Sequence, residues 1–190
     1  RSSAKGLFIL RKGKVKIVKE GFINKKSIIY IQKKGDFFGY RPILSEEAHP
    51  VSAIAMENCV VDFIPRDMFL KTVQMSPEFA YELLKVQSKE FNVWSNKLLF
   101  FTQYSVKERL AITLLYLNEV YRKEAQEGNS IISISRDDLS SYMGIAKETL
   151  VRMLRTFKDL NIIVTKGSKI SILNERRLSE IITDIKKGPI

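Results

Sequence analysis

The sequence predicts an α+β chain in three parts: an N-terminal antiparallel β-roll of jelly-roll type, one long helix, and a C-terminal unit of short helices closed by a hairpin. Three observations predict it. Residues 7–64 hold short runs that alternate apolar and polar side chains, parted by turn residues. Residues 78–101 contain neither proline nor glycine and repeat apolar residues every seven positions. Residues 135–172 hold two short helical patterns around Gly144, then a Lys-Gly-Ser turn between two strand-like runs.

The bulk properties narrow the function classes. A chain of 190 residues with 45% hydrophobic content can form two small domains. Cys59 is its only cysteine. That excludes an intrachain disulfide and any multi-cysteine zinc or iron–sulfur site built from this chain alone. Lying in the run CVVDFI, Cys59 is expected as a core thiol, and a reduced, cytoplasmic setting is expected with it. No apolar stretch approaches the ~20 residues of a membrane span, no signal peptide is legible, and no membrane partner is expected. The net charge of +11 favours a polyanionic partner. The chain begins at Arg1 without a methionine and runs quickly into a strand pattern, so residues upstream of it are expected.

An enzyme is not expected. The catalytic rival for a jelly roll is a cupin-type metal site, which needs several histidines with carboxylates. This chain has His49 alone, on a loop before Pro50, where a surface position is expected. No catalytic residue, metal or other cofactor is assigned.

The elements follow in order. LFILRKG, KVKIVKE, SIIYIQ, VSAIAM and CVVDFI read as strands, with turns at EGFINKK, KKGD and Glu57-Asn58. Pro65 can start a short helix, PRDMFLKTVQM, and Pro42 a helical turn. Ser76-Pro77 is an N-cap and N1 pair for the long helix. On it Leu84, Phe91 and Leu98 recur at seven residues, with Ala80, Gln87, Trp94 and Phe101 as the partner series. The seam extends beyond what a domain this small covers, so pairing with a second copy is expected through Leu84, Phe91, Trp94 and Leu98. Ser105 and Glu108 form a capping box for a helix ending near Gly128. IISIS is a short strand, Ser135 caps the next helix, Asn174 caps the last, and KKGPI is a tail. The expected parts are residues 1–75, 76–102 and 103–190.

The strongest motif is ISRDDLSSYMGIAKETLVRMLRTFKDLNIIVTKGSKISI. Gly144 supplies the positive φ of a tight turn. Ser140 is a small residue where a second helix can cross. Leu139, Met143, Ile145, Leu150 and Met153 are the expected core. This spacing is a helix-turn-helix, and the hairpin after it makes a wing. The second helix leaves Lys147, Glu148 and Arg152 on one side near its start, the residue types that read base edges. Thr149, Arg155, Lys158, Lys166 and Lys169 suit phosphates. Double-stranded DNA is the expected partner; a winged helix used for protein contacts only is the rival from another class.

Here the segment closely resembles the C-terminal domain of the cyclic-AMP receptor protein/FNR-type bacterial transcription regulators. In that family the recognition helix opens Ser-Arg-Glu-Thr-Val, with Arg four residues after the Glu. This chain has Ala146-Lys147-Glu148-Thr149-Leu150 and Arg152. Glu148 and Arg152 match the family's base-reading pair. Lys147 keeps the charge of the usual Arg and loses its bidentate fork, so a phosphate contact is equally open to it. The resemblance extends over the strands and the long helix, and KGLFILRKGKVKIV looks like the middle of the family's β-roll. It implies a homodimer on a pseudo-palindromic site, and RNA polymerase as a further partner.

The family's nucleotide cassette is only partly present. Gly35-Asp36-Phe37-Phe38-Gly39 and Ser52-Ala53 match its frame. Tyr40 stands where the ribose-binding Glu is expected, and Val51 where the phosphate-binding Arg is expected. A buried phosphate without its cation is costly, so cyclic AMP is expected not to bind. The effector itself is unknown. The remaining readings are a small anion held by Arg41, Ser52 and the helix start beside Gly39 and Tyr40, an apolar effector, or a filled pocket.

Overall fold

The computed structural model describes residues 4–21, 26–122 and 130–183. The chain divides into two compact units, Arg1–Ser95 and Asn96–Ile190.

The first unit is a pair of antiparallel sheets with three helices. Strand β1 (Gly6–Lys12) pairs with β6 (Val60–Pro65) on one side and with the two-residue β4 (Phe37–Phe38) on the other. Strand β2 (Val15–Glu20) lies between β3 (Lys26–Gln32) and β5 (Ser52–Ala55). Period-two alternation turns Leu10, Val15 and Ile17 inward, where Tyr30, Phe38, Val51 and Cys59 join them. Cys59, just before β6, is half-buried, against the fully buried thiol expected; its Sγ lies 3.3 Å from the Lys14 and Glu57 carbonyls. A second cluster gathers Leu7, Tyr40 and Ile43 with Phe69 and Leu83. Ile43 lies on α1 (Arg41–Leu44), Phe69 on α2 (Arg66–Met75), and Leu83 on α3 (Pro77–Gln103). The short strand β4 and the end of β6 differ from the sequence reading, since Pro65 closes β6 and α2 starts one residue later. The expected turn after Glu20 runs partly outside the described residues.

Helix α3 has 27 residues, about 40 Å at 1.5 Å each. Ser76 caps it, its Oγ accepting from the Phe79 N–H at 3.2 Å. Leu84, Phe91 and Leu98 stand 64%, 73% and 66% exposed. The partner series divides from this stripe. Ala80 and Gln87 are half-buried, Trp94 meets the edge of Tyr30, and Phe101 stands over Gly144. Tyr81, Ser88 and Ser95 are exposed beside this stripe, and Trp94 itself keeps 39% of its surface exposed. The Oγ of Ser88 and the Oγ1 of Thr102 bond back to the carbonyls of Leu84 and Leu98, each at 2.9 Å. No helix among the described residues is long and apolar enough to cross a membrane.

In the second unit α4 (Val106–Arg122) opens on the expected capping box. Ser105 N–H donates to Glu108 at 2.8 Å and Glu108 N–H to Ser105 Oγ at 3.3 Å. Leu110, Leu114 and Leu117 are fully buried on its inner face, each contributing about 1.5–3 kcal/mol relative to exposure. The expected end of this helix near Gly128 lies outside the described residues, as does the KKGPI tail. Helices α5 (Arg136–Met143) and α6 (Lys147–Asp159) follow, then β8 (Ile163–Lys166) and β9 (Lys169–Ile172). Strand β7 (Ile131–Ser133) pairs with β9, so the hairpin is part of a three-stranded sheet. Helix α7 (Glu175–Thr183) closes the unit, with Arg177 N–H on the Asn174 side chain at 3.0 Å.

Gly144 sits at φ 64°, ψ 37°, the left-handed turn that ends α5. A Cβ there would meet the Phe101 ring at 3.0 Å. Gly144→Ala is expected to lower the stability of this unit by about 1–2 kcal/mol. Urea titration of the full chain, followed by far-UV circular dichroism, measures it; an unchanged midpoint would contradict the turn's role.

Candidate functional site

The helix-turn-helix is built from a cap, a turn and a buried row. Ser135 Oγ accepts the Asp138 N–H at 3.0 Å and starts α5. At the other end the Ile145 N–H reaches the Ser140 carbonyl at 3.1 Å across the Gly144 turn. Leu139, Ser140 and Met143 are buried on α5, and Leu150, Leu154 and Phe157 on α6. Ile145 and Met153, also expected in the core, are half-buried; on α6 the buried row runs at spacings of four and three through Leu154 instead of Met153.

The opposite side of α6 is polar and open. Lys147, Glu148, Arg152, Arg155 and Lys158 are exposed, and Thr149 is half-buried. Glu148 and Arg152 sit one helical turn apart. Lys147 is held back toward α5, its Nζ 2.7 Å from Asp137. In water such a bridge is weak and exchangeable. Lys166 and Lys169 are exposed and directly paired across the wing hairpin. The wing is tied to α5 by the Arg136 guanidinium, which donates to the Gly167 carbonyl at 2.9 Å. Burial pushes the Arg136 pKa down.

The first unit holds a cavity of about 360 Å³ at the cassette. Gly39, at φ 88°, turns the chain from β4 into α1 and exposes the cavity wall. Phe8, Ile17, Phe38, Val51 and Ala53 supply apolar wall from the strands, and Tyr30 and Trp94 meet edge to face at 5.6 Å. The polar part is a closed cluster around Glu90. Tyr40 O–H donates to its Oε2 at 2.9 Å, as does Arg41 Nε, and Arg41 Nη2 also donates to it. Burial, then Glu90, raises the Tyr40 pKa. Burial acts to lower that of Arg41, but Glu90, with smaller contributions from Tyr40 and Tyr30, raises it overall and the guanidinium stays charged.

Two expected cassette residues are corrected by this geometry. Ser52 does not line the cavity: Val51 before it and Ala53 after it do, so Ser52, at the start of β5, faces out. Arg41 does line it, with its charge paired to Glu90. His49, expected on the surface, lines the cavity, because the loop before Pro50 folds over it. No cluster of three or more metal-ligating side chains occurs among the described residues.

Comparison with known proteins agrees in both units. Residues 1–76 match the cyclic nucleotide-binding domain and residues 108–181 the Crp-like helix-turn-helix domain. The chain belongs to the Crp/Fnr family. It is 25% identical over 176 residues to the anaerobic regulatory protein of Aggregatibacter actinomycetemcomitans, covering 92% of this chain and 68% of that one. It is 29% identical over 184 residues to the fumarate and nitrate reduction regulatory protein of Yersinia pestis, covering 93% and 71%. In fold it is similar to FixK2 from Bradyrhizobium japonicum, at a TM-score of 0.82 and 23% identity, covering 95% and 88%. Crp/Fnr proteins are transcription regulators that bind DNA through the helix-turn-helix domain, and this chain carries that domain.

Several residues of this Crp/Fnr chain carried no legible signal. Glu90, Tyr30 and Arg136 act through contacts distant in sequence. So does Lys97, whose Nζ lies 4.6 Å from the centre of the Tyr142 ring on α5. Tyr142 in turn stacks on Tyr116 of α4 at 6.2 Å. Burial pushes the Lys97 pKa down to about 8 from 10.5. Between those values the folded chain sheds a proton that the unfolded chain keeps, so stability rises with pH across the window. Denaturant titrations from pH 8 to 10.5 are expected to show this rise in the native chain relative to Lys97→Met. Parallel profiles for the two would contradict it.

Proposed function

We propose that the chain is a homodimeric, sequence-specific transcription regulator of the cytoplasm, acting with RNA polymerase and not governed by cyclic AMP. Residues 1–75 serve as the effector part, 76–102 as the dimer helix, and 103–190 as the DNA-binding part. The carrying observation is the exposed side of α6, where Glu148 and Arg152 stand clear of the buried row behind them. Arg152 reads a guanine through O6 and N7, and Glu148 accepts from a cytosine N4. Lys147 exchanges Asp137 for a base or a phosphate. Thr149, Arg155, Lys158, Lys166 and Lys169 bind phosphates and fix the register.

The bare α3 stripe supports the dimer. Leu84, Phe91 and Leu98 are each more than 60% exposed and spaced at sevens. Pairing through them sets two recognition helices on half-sites roughly 34–36 Å apart. The non-response to cyclic AMP is supported by Val51 at the phosphate position and by the Glu90 that already occupies Arg41.

Two measurements test the reading. An operator is first recovered by unbiased selection from random duplexes. Arg152→Ala is then expected to cost about 1–3 kcal/mol on that site and to relax its preference at one base pair. Lys169→Ala is expected to weaken all sequences alike and flatten the salt dependence. Intact sequence preference in Arg152→Ala would sink the base-reading assignment. Separately, sedimentation should find a dimer in the native chain and a monomer in the Leu84→Glu/Leu98→Glu double variant. A native monomer at working concentration would sink the dimer.

A further inference from the structure

The cavity in the first unit has a chemical character of its own, set by what its charged groups are already doing. Its lining holds one permanent cation, Arg41, and one carboxylate, Glu90. These two are bound to each other, and Glu90 takes the Tyr40 hydroxyl as well. The pair is neutral toward anything else in the cavity. An anion entering there must either remain without a counter-ion among Phe8, Phe38 and Val51, or displace Glu90 and lie beside a second negative charge. Both routes are costly in an apolar site.

We infer that this cavity takes an uncharged, largely aromatic small molecule. Its volume of about 360 Å³ is within the range of small-ligand sites. Its aromatic walls offer ring faces and edges at which a second ring system packs well. Gln32 and His49 are in the lining and provide hydrogen bonds for one or two polar groups on such a ligand. The inference deepens the regulator reading: the ligand class follows from the cavity, and only its role as an effector rests on that reading.

The chain carries its own reporter. Trp94 is the single tryptophan and forms part of the cavity wall. The test uses two probes that share one ring skeleton, uncharged N-phenyl-1-naphthylamine and its sulfonated counterpart 1-anilinonaphthalene-8-sulfonate. The uncharged probe is expected to quench Trp94 saturably, with energy transfer to the probe. The sulfonate and cyclic AMP are expected to need at least about tenfold higher concentration for the same quenching. Val51→Phe fills the cavity and should abolish quenching by the uncharged probe, its folding checked by circular dichroism. Should that variant not fold, Glu90→Gln provides the second arm. It releases Arg41 and should shift preference toward the sulfonate at least about tenfold.

Quenching by the sulfonate or by cyclic AMP at equal or lower concentration than the uncharged probe would overturn the inference. So would unchanged quenching in a folded Val51→Phe, or an unshifted preference in Glu90→Gln. DNA affinity is read in a separate titration. A chain that binds the uncharged probe at Trp94 without binding DNA sinks the regulator reading and supports the ligand class.

Discussion

The Glu90 carboxylate holds together everything that gives the first unit its chemistry. It accepts from the hydroxyl of Tyr40, which is otherwise entombed in the core, and from the guanidinium of Arg41. Without it the buried hydroxyl has no acceptor, a loss of the kind that costs about 1–3 kcal/mol. The same contact pins α1 to α3. It thereby fixes the face of α3 turned inward, and Trp94, one turn on, meets Tyr30. A charge-paired Arg41 and the apolar wall beside it are two results of one carboxylate.

The second unit depends on steric economy at a single turn. Gly144 lets α5 stop abruptly, and Ser140 is small enough to be buried where the helices approach. The row Leu150, Leu154, Phe157 then locks α6 in rotation. A helix fixed in rotation on one side presents a defined set of side chains on the other. The direction of Glu148 and Arg152 is thus set by three buried apolar residues, not by any contact of their own. Arg136 does the same for the wing, through one bond to a backbone carbonyl.

Local signals were legible in the sequence, and tertiary choices were not. The capping box at Ser105 and the N-cap at Ser135 came out as read, because each is decided within four residues. The strands of the roll came out because alternation is a local pattern. Glu90 was invisible because its partners lie 49 and 50 residues away. Ser52 and Met153 were misplaced by one position each, and one position is enough to change the face of a strand or a helix. On α3, residues 84, 91 and 98 fit two equally regular seams. The sequence alone does not choose between Trp94 and Ser95 as the neighbour, nor does it show that Trp94 meets Tyr30 on β3.

The hydroxyls of Ser88 and Thr102 have a consequence for the bare side of α3. Each turns back onto a carbonyl one turn earlier. A hydroxyl so engaged has spent its one donor and keeps only its acceptor lone pairs for a neighbour. The stripe therefore alternates low and high relief, small residues at 88, 95 and 102 between the bulk of Leu84, Phe91 and Leu98. Discrimination among partners on such a surface is by contour rather than by polar matching. A facing helix with complementary steps would fit it, and at 88 and 102 it would meet hydroxyl oxygens that can accept but not donate.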